Sequence, residues 1–287
     1  MSEAVSLAGI TESPAVIHVA QRPGPATCLP TRTEEADLNL VLYAGHGEFP
    51  RIIYAPGKLS SGVELMARAF HLADKYQIPV FMLSDQYWLE SLAQTDEIII
   101  PRNYAENLIT ETSRDYKRYT FDPSGLSPRG VPGFGKGFVK VDSDEHDEEG
   151  LLTESFDMRV QMHDKRLNKF NLMKEDLLEP MIEGSSDQKN LIIGWGSTYG
   201  VISEIVSDHP SLTHVHFEHI YPLPDSIEAL LRNAENIVVV ENNATGQFAN
   251  LLQMTYGIKL NNRILKYNGE PFHVDELEQK IKEKANV

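Results

Sequence analysis

Short apolar runs alternate along the chain with stretches in which apolar residues recur every three or four positions. A buried parallel strand is a continuous apolar run, whereas an amphipathic helix shows the wider spacing. Apolar runs at 15–20, 51–55 and 79–83 predict three strands, and the helical spacing over 60–76 predicts a long helix between the last two. Strands that alternate with helices indicate an α/β fold with open, mostly parallel sheets.

The same alternation resumes in the second half of the chain. Apolar runs there predict three more strands, at 190–193, 215–217 and 236–240. The segment 175–189 contains a proline, a glycine and two serines, which is typical of a linker. The pattern therefore predicts two units, residues 1–183 and residues 184–287, of which the second is a compact α/β domain.

Charge and cysteine content narrow the function classes. The formal net charge of −16 argues against nucleic acid or an anionic membrane as the main partner. No apolar run has the length of a transmembrane helix, and no signal peptide leads the sequence. Cys28 is the single cysteine, so the chain cannot form an internal disulfide or ligate an iron–sulfur cluster alone. These features predict a cytoplasmic protein.

The segment 21–33, QRPGPATCLPTRT, follows the first predicted strand and contains three prolines and two arginines. Its prolines fix φ and stiffen the loop, and loops at the carboxyl ends of strands carry ligand chemistry in open α/β sheets. Two interpretations of Arg22 and Arg32 stay open. Their guanidinium groups bind a carboxylate or phosphate, or they lie at the surface in weak ion pairs with neighbouring acidic residues.

Other polar residues also fall where chain direction changes. His46 and Glu48 lie between glycines in a bend, where they either contact a ligand or form a solvated turn. Asp85 follows the third strand, as a ligand-facing acid or as a helix N-cap. The turn 194–200, GWGSTYG, either binds an anion at a helix N-terminus or packs tightly, and it lacks the dinucleotide fingerprint.

Several of these runs together resemble one family, the α subunits of 2-oxoacid:ferredoxin oxidoreductases, and most closely the 2-oxoglutarate type. The runs occur in the family's order and cover nearly the whole chain. They are QRPGPATCLPTRTEEADL, GHGEFPR, IPVFMLSDQY, PRGVPGFGKGFVKVDSDEHDEEG, GWGSTYG and VVVENNATGQF. The resemblance implies that residues 1–183 are the C-terminal part of a pyrimidine-binding domain with a long interface loop. Residues 184–287 would then form a transketolase-C-like domain.

The resemblance also implies an activity, as a subunit that is not active alone. The family decarboxylates a 2-oxoacid oxidatively with thiamine diphosphate and Mg²⁺, passes two electrons through an iron–sulfur cluster to ferredoxin, and forms an acyl-CoA. A β subunit holds the diphosphate, the metal and a cluster. This sequence agrees with that division, because it lacks a GDG…N motif and has one cysteine.

The family places an arginine of the proline-rich loop at the substrate. The resemblance therefore implies that Arg32, with Arg22 as the alternative, binds a carboxylate of the 2-oxoacid, and that Thr31 fixes the loop or reaches the substrate carbonyl. His46 and Glu48 are expected near the mouth of the active site. No catalytic residue and no metal ligand are assigned to this chain.

The sequence also departs from the family pattern. A full α subunit begins with a γ-type domain, followed by strands with a YPITPS-like motif and a glutamate that faces the aminopyrimidine, and these are not found here. Either those parts lie on a separate chain, or the sequence is that of a truncated gene product. Two alternatives stay open: a split but active α subunit, or a truncated non-catalytic subunit that binds β without turnover.

Overall fold

The computed structural model describes residues 1–96, 104 and 107–285. Helices and strands alternate over the first ninety residues. They are α1 (Ser2–Ile10), β1 (Ala15–Gln21), α2 (Leu38–Leu42), β2 (Ile52–Tyr54), α3 (Leu59–Tyr76), β3 (Pro79–Asp85) and α4 (Gln86–Glu90). Residues 107–155, all of them described, form turns and isolated bridges.

The second half begins with α5 (Phe156–Met173) and then alternates strands with helices. Its further elements are β4 (Met181–Gly184), β5 (Asn190–Trp195), α6 (Tyr199–Asp208), β6 (Leu212–Phe217), β7 (His219–Tyr221), α7 (Glu228–Asn233), β8 (Asn236–Glu241), α8 (Gln247–Tyr256), β9 (Arg263–Leu265) and α9 (Val274–Ala285). The α/β class predicted from the sequence is confirmed.

The first sheet has the strand order β1-β3-β2-β7. β1 and β2 both pair with β3 in parallel, and Gln21 lies opposite Asp85 at the carboxyl end. Val80 and Met82 pack beneath α3, whereas Phe81 and Leu83 face the opposite side and join the main core. Because both faces of β3 are covered, its sequence is apolar without alternation.

The second sheet has the order β4-β6-β5-β8-β9, and all its pairs are parallel except that of β4 with β6. Ile192 faces a cluster formed with α6 and α9, whereas Ile193 faces the main core. Helices therefore cover both sides of this sheet as well, which is the expected arrangement for parallel strands.

The two sheets share a core and are joined by consecutive strands. β7 follows β6 after the single residue Glu218 but pairs with β2 of the first sheet, with Ile53 opposite Tyr221. The main core joins Phe81 of the first sheet to Val215 of the second. The predicted boundary between residues 183 and 184 falls inside β4, and the division into two domains remains a prediction.

Two local predictions are wrong. The polar segment Glu34–Tyr43 after the proline-rich loop predicts the beginning of a helix, but α2 begins only at Leu38, because the backbone N–H of Glu35 donates to the carbonyl of Asn242 at 2.7 Å rather than to the helix. The predicted linker 175–189 contains β4, whose pairing with β6 was not visible in so short a polar segment.

Candidate functional site

The proline-rich loop leaves the first sheet at the carboxyl end of β1 and returns to the same edge. Its last residue, Thr33, donates its hydroxyl to Oδ2 of Asp85, which ends β3. The Thr33 oxygen accepts the backbone N–H of Tyr87 at 3.1 Å. The loop is thus fixed at the carboxyl edge of a parallel sheet, where such folds place their ligands.

The loop backbone is held in a conformation that few residues adopt freely. Ala26, Cys28 and Thr31 have φ values of +56°, +38° and +54°, in the left-handed region. Each costs about 1–2 kcal/mol for a residue with a Cβ, so the surrounding structure must impose it. Part of that support comes from Gly269, whose carbonyl accepts the backbone N–H of Thr33 at 3.1 Å.

Arg22 and Arg32 are both exposed in this loop. Nη1 of Arg32 donates to the Thr31 carbonyl at 3.2 Å. Within the part of the chain that the structure describes, neither guanidinium forms a salt bridge. Burial raises the pKa of Asp37, although the charge of Arg22 works in the other direction. Apart from the Nη1 contact of Arg32, the two guanidinium groups are therefore open to an anion.

His46 and Glu48 lie at the other edge of the first sheet. They precede β2, whose first residue, Ile52, is opposite Val80 near the beginning of β3. The Glu48 carboxylate is 3.7 Å from Nε2 of His163 on α5. Both residues line a cleft of about 270 Å³ that does not include the arginine loop. The structure does not bring them together with Arg22, Thr31 and Arg32, and their role at an active-site mouth stays a prediction.

Three buried carboxylates meet at the junction of the two sheets, and the sequence did not single out two of them. Glu35, Asp85 and Glu241 are each at most 1% exposed. Oε1 of Glu35 accepts the backbone N–H of Ser197 at 2.8 Å, and Oδ2 of Asp85 accepts the Ser197 hydroxyl at 2.8 Å. Residues from both sheets therefore meet around one serine side chain.

Two of these carboxylates cap helices. Asp85 accepts the backbone N–H of Trp88 at 3.1 Å, so it is the N-cap of α4, one of its two predicted roles. Glu241 accepts the backbone N–H groups of Phe248 and Ala249 at 2.8 and 2.9 Å, at the beginning of α8. Negative charge at a helix N-terminus is favoured by the helix dipole.

Burial and mutual repulsion shift the pKa values of the carboxyl groups in this cluster. Burial raises the pKa of Glu35 well above its usual range, and the charges of Asp85 and Glu241 raise it further. Burial also raises the pKa of Asp85, but the hydroxyls of Thr33 and Ser197 oppose that shift by stabilising the anion. Glu35 is therefore the member of the cluster that most readily holds a proton.

In the glycine-rich turn 194–200, Gly196 packs closely against Glu35. Gly196 has a φ of +54°, and a Cβ there would lie 2.0 Å from Oε1 of Glu35. The Glu35 carboxylate accepts the Ser197 N–H. The turn thus packs tightly, and the Glu35 carboxyl group occupies the position at which the sequence pattern allowed a bound anion.

Metal and membrane sites can be assessed for residues 1–96, 104 and 107–285. That part of the chain contains no group of three or more His, Cys, Asp or Glu side chains arranged to hold a metal ion. It also contains no helix with the length and apolar character needed to cross a membrane.

Comparison with known proteins identifies the family. The family model for pyruvate flavodoxin/ferredoxin oxidoreductase, thiamine-diphosphate-binding, matches residues 1–165. The chain belongs to this oxidoreductase family. The recognition made from its sequence motifs is therefore confirmed.

Relatives in the pyruvate flavodoxin/ferredoxin oxidoreductase family agree on the subunit. The α subunit of 2-oxoacid:ferredoxin oxidoreductase 1 from Sulfurisphaera tokodaii is 35% identical and aligns with 98% of this chain and 46% of its own length. The 2-oxoglutarate synthase subunit KorA from Methanocaldococcus jannaschii is 28% identical, over 96% of this chain and 73% of its own.

A solved structure of the same kind has the same fold. The 2-oxoglutarate:ferredoxin oxidoreductase from Magnetococcus marinus, with 2-oxoglutarate, coenzyme A and succinyl-CoA bound, matches with a TM-score of 0.86 and 28% identity, over 99% of this chain and 51% of its own. The chain thus spans about half the length of that protein and of the Sulfurisphaera tokodaii relative.

Proposed function

We propose that the chain is the α subunit of a thiamine-diphosphate-dependent 2-oxoacid:ferredoxin oxidoreductase whose substrate is 2-oxoglutarate. The observation that carries this proposal is the fold match over 99% of the chain to an enzyme that holds 2-oxoglutarate and succinyl-CoA. The reaction would release CO₂, pass two electrons to ferredoxin and transfer the acyl group to CoA.

The proline-rich loop would bind the substrate through its arginines. Arg32, with Arg22 as the alternative, would form a bidentate pair with a carboxylate, since planar guanidinium groups match carboxylates in geometry and charge. Their exposure and the absence of salt bridges among the described residues support this role. A 2-oxoglutarate molecule has two carboxylates, so both arginines have a possible partner. Thr31 would support the loop, and we assign no step to His46 or Glu48.

The described residues fit only part of the cofactor requirement. They offer cations for a carboxylate, but no cluster able to hold a metal ion. We therefore assign Mg²⁺, the diphosphate of the cofactor and the iron–sulfur cluster to a β subunit. Bound thiamine diphosphate would supply the carbanion chemistry, and the residues of this chain would orient the substrate and exclude water. The further partner proposed is ferredoxin.

Co-expression with the β subunit tests the proposal. Ferredoxin reduction that depends on 2-oxoglutarate and CoA is expected from the purified complex. Arg32→Ala should raise KM for 2-oxoglutarate about 10- to 100-fold, because a charge-assisted hydrogen bond contributes about 1.5–3 kcal/mol. Arg114→Ala, which removes an exposed arginine outside the loop, serves as the control.

Each other outcome has a definite meaning. An unchanged KM in Arg32→Ala would reject the assignment of that residue. A stable complex with no turnover would favour the alternative, a non-catalytic subunit that binds β.

A further inference from the structure

Ser197 connects the second sheet to the proline-rich loop through two hydrogen bonds, a partly buried one to Asp85 and a buried one from Thr33 to Asp85. Its hydroxyl donates to Oδ2 of Asp85 at 2.8 Å and lies 3.4 Å from Oε1 of Glu35. A hydroxyl has one proton, so the shorter contact identifies Asp85 as the acceptor. Oδ2 of Asp85 also accepts the hydroxyl of Thr33, the last residue of the loop.

We propose that Ser197 and Asp85 are positioning residues for the proline-rich loop, and that the second sheet thereby sets the position of Arg32. The proposal rests on the proposed function insofar as Arg32 is taken to bind the 2-oxoacid. Its structural part, that Ser197 orders the loop, stands without that function.

Burial makes the link between Thr33 and Asp85 consequential. Thr33 and Asp85 are each 1% exposed, so water does not replace a lost partner. The Asp85 carboxylate accepts the hydroxyls of Thr33 and Ser197 on Oδ2 and the N–H of Trp88 on Oδ1. Removal of one hydroxyl leaves a buried anion with fewer donors, and buried anions respond strongly to such a loss.

The covalent chain carries this effect to Arg32. Consecutive Cα atoms are about 3.8 Å apart, so a shift of Thr33 moves the Cα of Arg32 with it. The left-handed φ of Thr31, +54°, leaves little freedom on the other side of Arg32. The stem of Arg32 also packs against Gly269, whose carbonyl holds the Thr33 N–H. A displacement of about 1 Å is enough to weaken a substrate contact that depends on orientation.

A spin label on Cys28 measures the order of the loop without any partner subunit. Cys28 is exposed and is the single cysteine of the chain. Thr33→Val removes the hydroxyl while keeping the shape of the side chain, and Ser197→Ala removes the other donor to Asp85. Both changes should increase the label's mobility in the electron paramagnetic resonance spectrum, and Thr33→Ser should keep it at the wild-type level.

Thr213→Val provides a matched control. Thr213 is fully buried on β6, and its hydroxyl donates to the carbonyl of Ser185 at 3.0 Å, away from the loop. It should lose stability as Thr33→Val does while leaving the spectrum of the label unchanged. Circular dichroism identifies any variant that fails to fold, and the Ser197 and Thr33 variants test the same link independently.

Kinetics of the complex with the β subunit test the link to substrate binding. Thr33→Val and Ser197→Ala should raise KM for 2-oxoglutarate about three- to tenfold with kcat changed less than twofold, since each removes a hydrogen bond that supports Arg32 only indirectly, through the loop backbone. Thr33→Ser should restore the wild-type KM, which a general loss of stability would not predict.

The two measurements separate the possible failures. An unchanged label spectrum in both Thr33→Val and Ser197→Ala would overturn the inference. A mobile loop with an unchanged KM would overturn its link to the substrate. The third outcome is that no complex turns over, wild type included, while the label is more mobile in Thr33→Val and Ser197→Ala than in wild type. That outcome would support the structural part and reject the proposed function.

Discussion

The carboxylate of Glu12 lies 2.6 Å from the ammonium nitrogen of Lys165, and both side chains are almost completely withdrawn from solvent. Lys169, on the next turn of α5, is also 2.6 Å from the same carboxylate. Burial works to raise the pKa of Glu12, but the two lysines outweigh it and lower the pKa to about 2. One carboxylate, just after the end of α1, therefore pairs with two buried lysines of α5.

Glu12→Gln should destabilise the chain by about 3–5 kcal/mol, because it leaves two buried ammonium groups without a counter-charge. Urea denaturation measures the change. Glu228→Gln is the control, since Glu228 pairs with Arg232 on an exposed helix face and should contribute about 0.5 kcal/mol or less. Equal losses in the two variants would contradict the structural role of Glu12.

The buried Glu35 should make stability depend on pH. Its pKa is raised well above the usual 4.5, so the folded state binds a proton that the unfolded state releases. The free energy of unfolding should therefore fall as pH rises above about 4.5. Glu35→Gln removes this dependence, and the stability of the variant relative to wild type should increase between pH 5 and pH 8 in denaturant titrations.

Glu145 should give stability a pH dependence opposite to that of Glu35. Burial works to raise its pKa, but hydrogen bonds and charge from Arg166 and Arg159 outweigh it and lower the pKa. Its contribution is present above the unfolded pKa and is lost as pH falls. Glu145→Gln should thus lose stability relative to wild type as pH rises. A Glu35→Gln difference that follows the same direction would refute the assignment for Glu35.

Gly196→Ala should destabilise the chain more than Gly257→Ala does. Both glycines have positive φ, +54° and +62°, which costs an alanine about 1–2 kcal/mol. At Gly257 the new methyl group meets nothing within 4 Å, whereas at Gly196 it would lie 2.0 Å from the buried Glu35 carboxylate. Overpacking adds about 1–3 kcal/mol. Thermal or urea unfolding of the two variants checks the difference, and equal costs would show that Glu35 moves aside freely.

Much of the fold could be predicted because the elements are determined by local pattern. β1, α3 and β3 occur within two residues of their predicted bounds, since continuous apolar runs and helical spacing are properties of the sequence itself. The buried face of α3 was less well predicted. Val63 and Phe70 were expected inside but are 46% and 61% exposed, while Leu65 and Leu72 are buried. The helix carries apolar residues on more than one face, so the spacing alone does not choose between them.

The site was harder to predict because it depends on contacts between distant residues. The proline-rich loop and Asp85 were singled out, since each follows an apolar strand. Glu35 was not, because its N–H and its carboxylate are held by Asn242 and Ser197, which lie more than 160 residues away along the chain. A glutamate in a polar stretch gives no local signal of burial. The glycine at position 196 was the one indirect sign that something packs closely there.

The chain passes from the second sheet to the first between β6 and β7, and this crossing also limits how the gene can recombine. Glu218, which separates β6 from β7, accepts the backbone N–H of Gly57 at 2.7 Å, and β7 itself pairs with β2. The segment that follows residue 183 is therefore not a freely exchangeable cassette. A chimera that replaces it must supply both a strand that fits Ile53 and Tyr54 and an acceptor for the Gly57 N–H. Natural substitutions at these contacts in one segment should accordingly be accompanied by matching substitutions in the other.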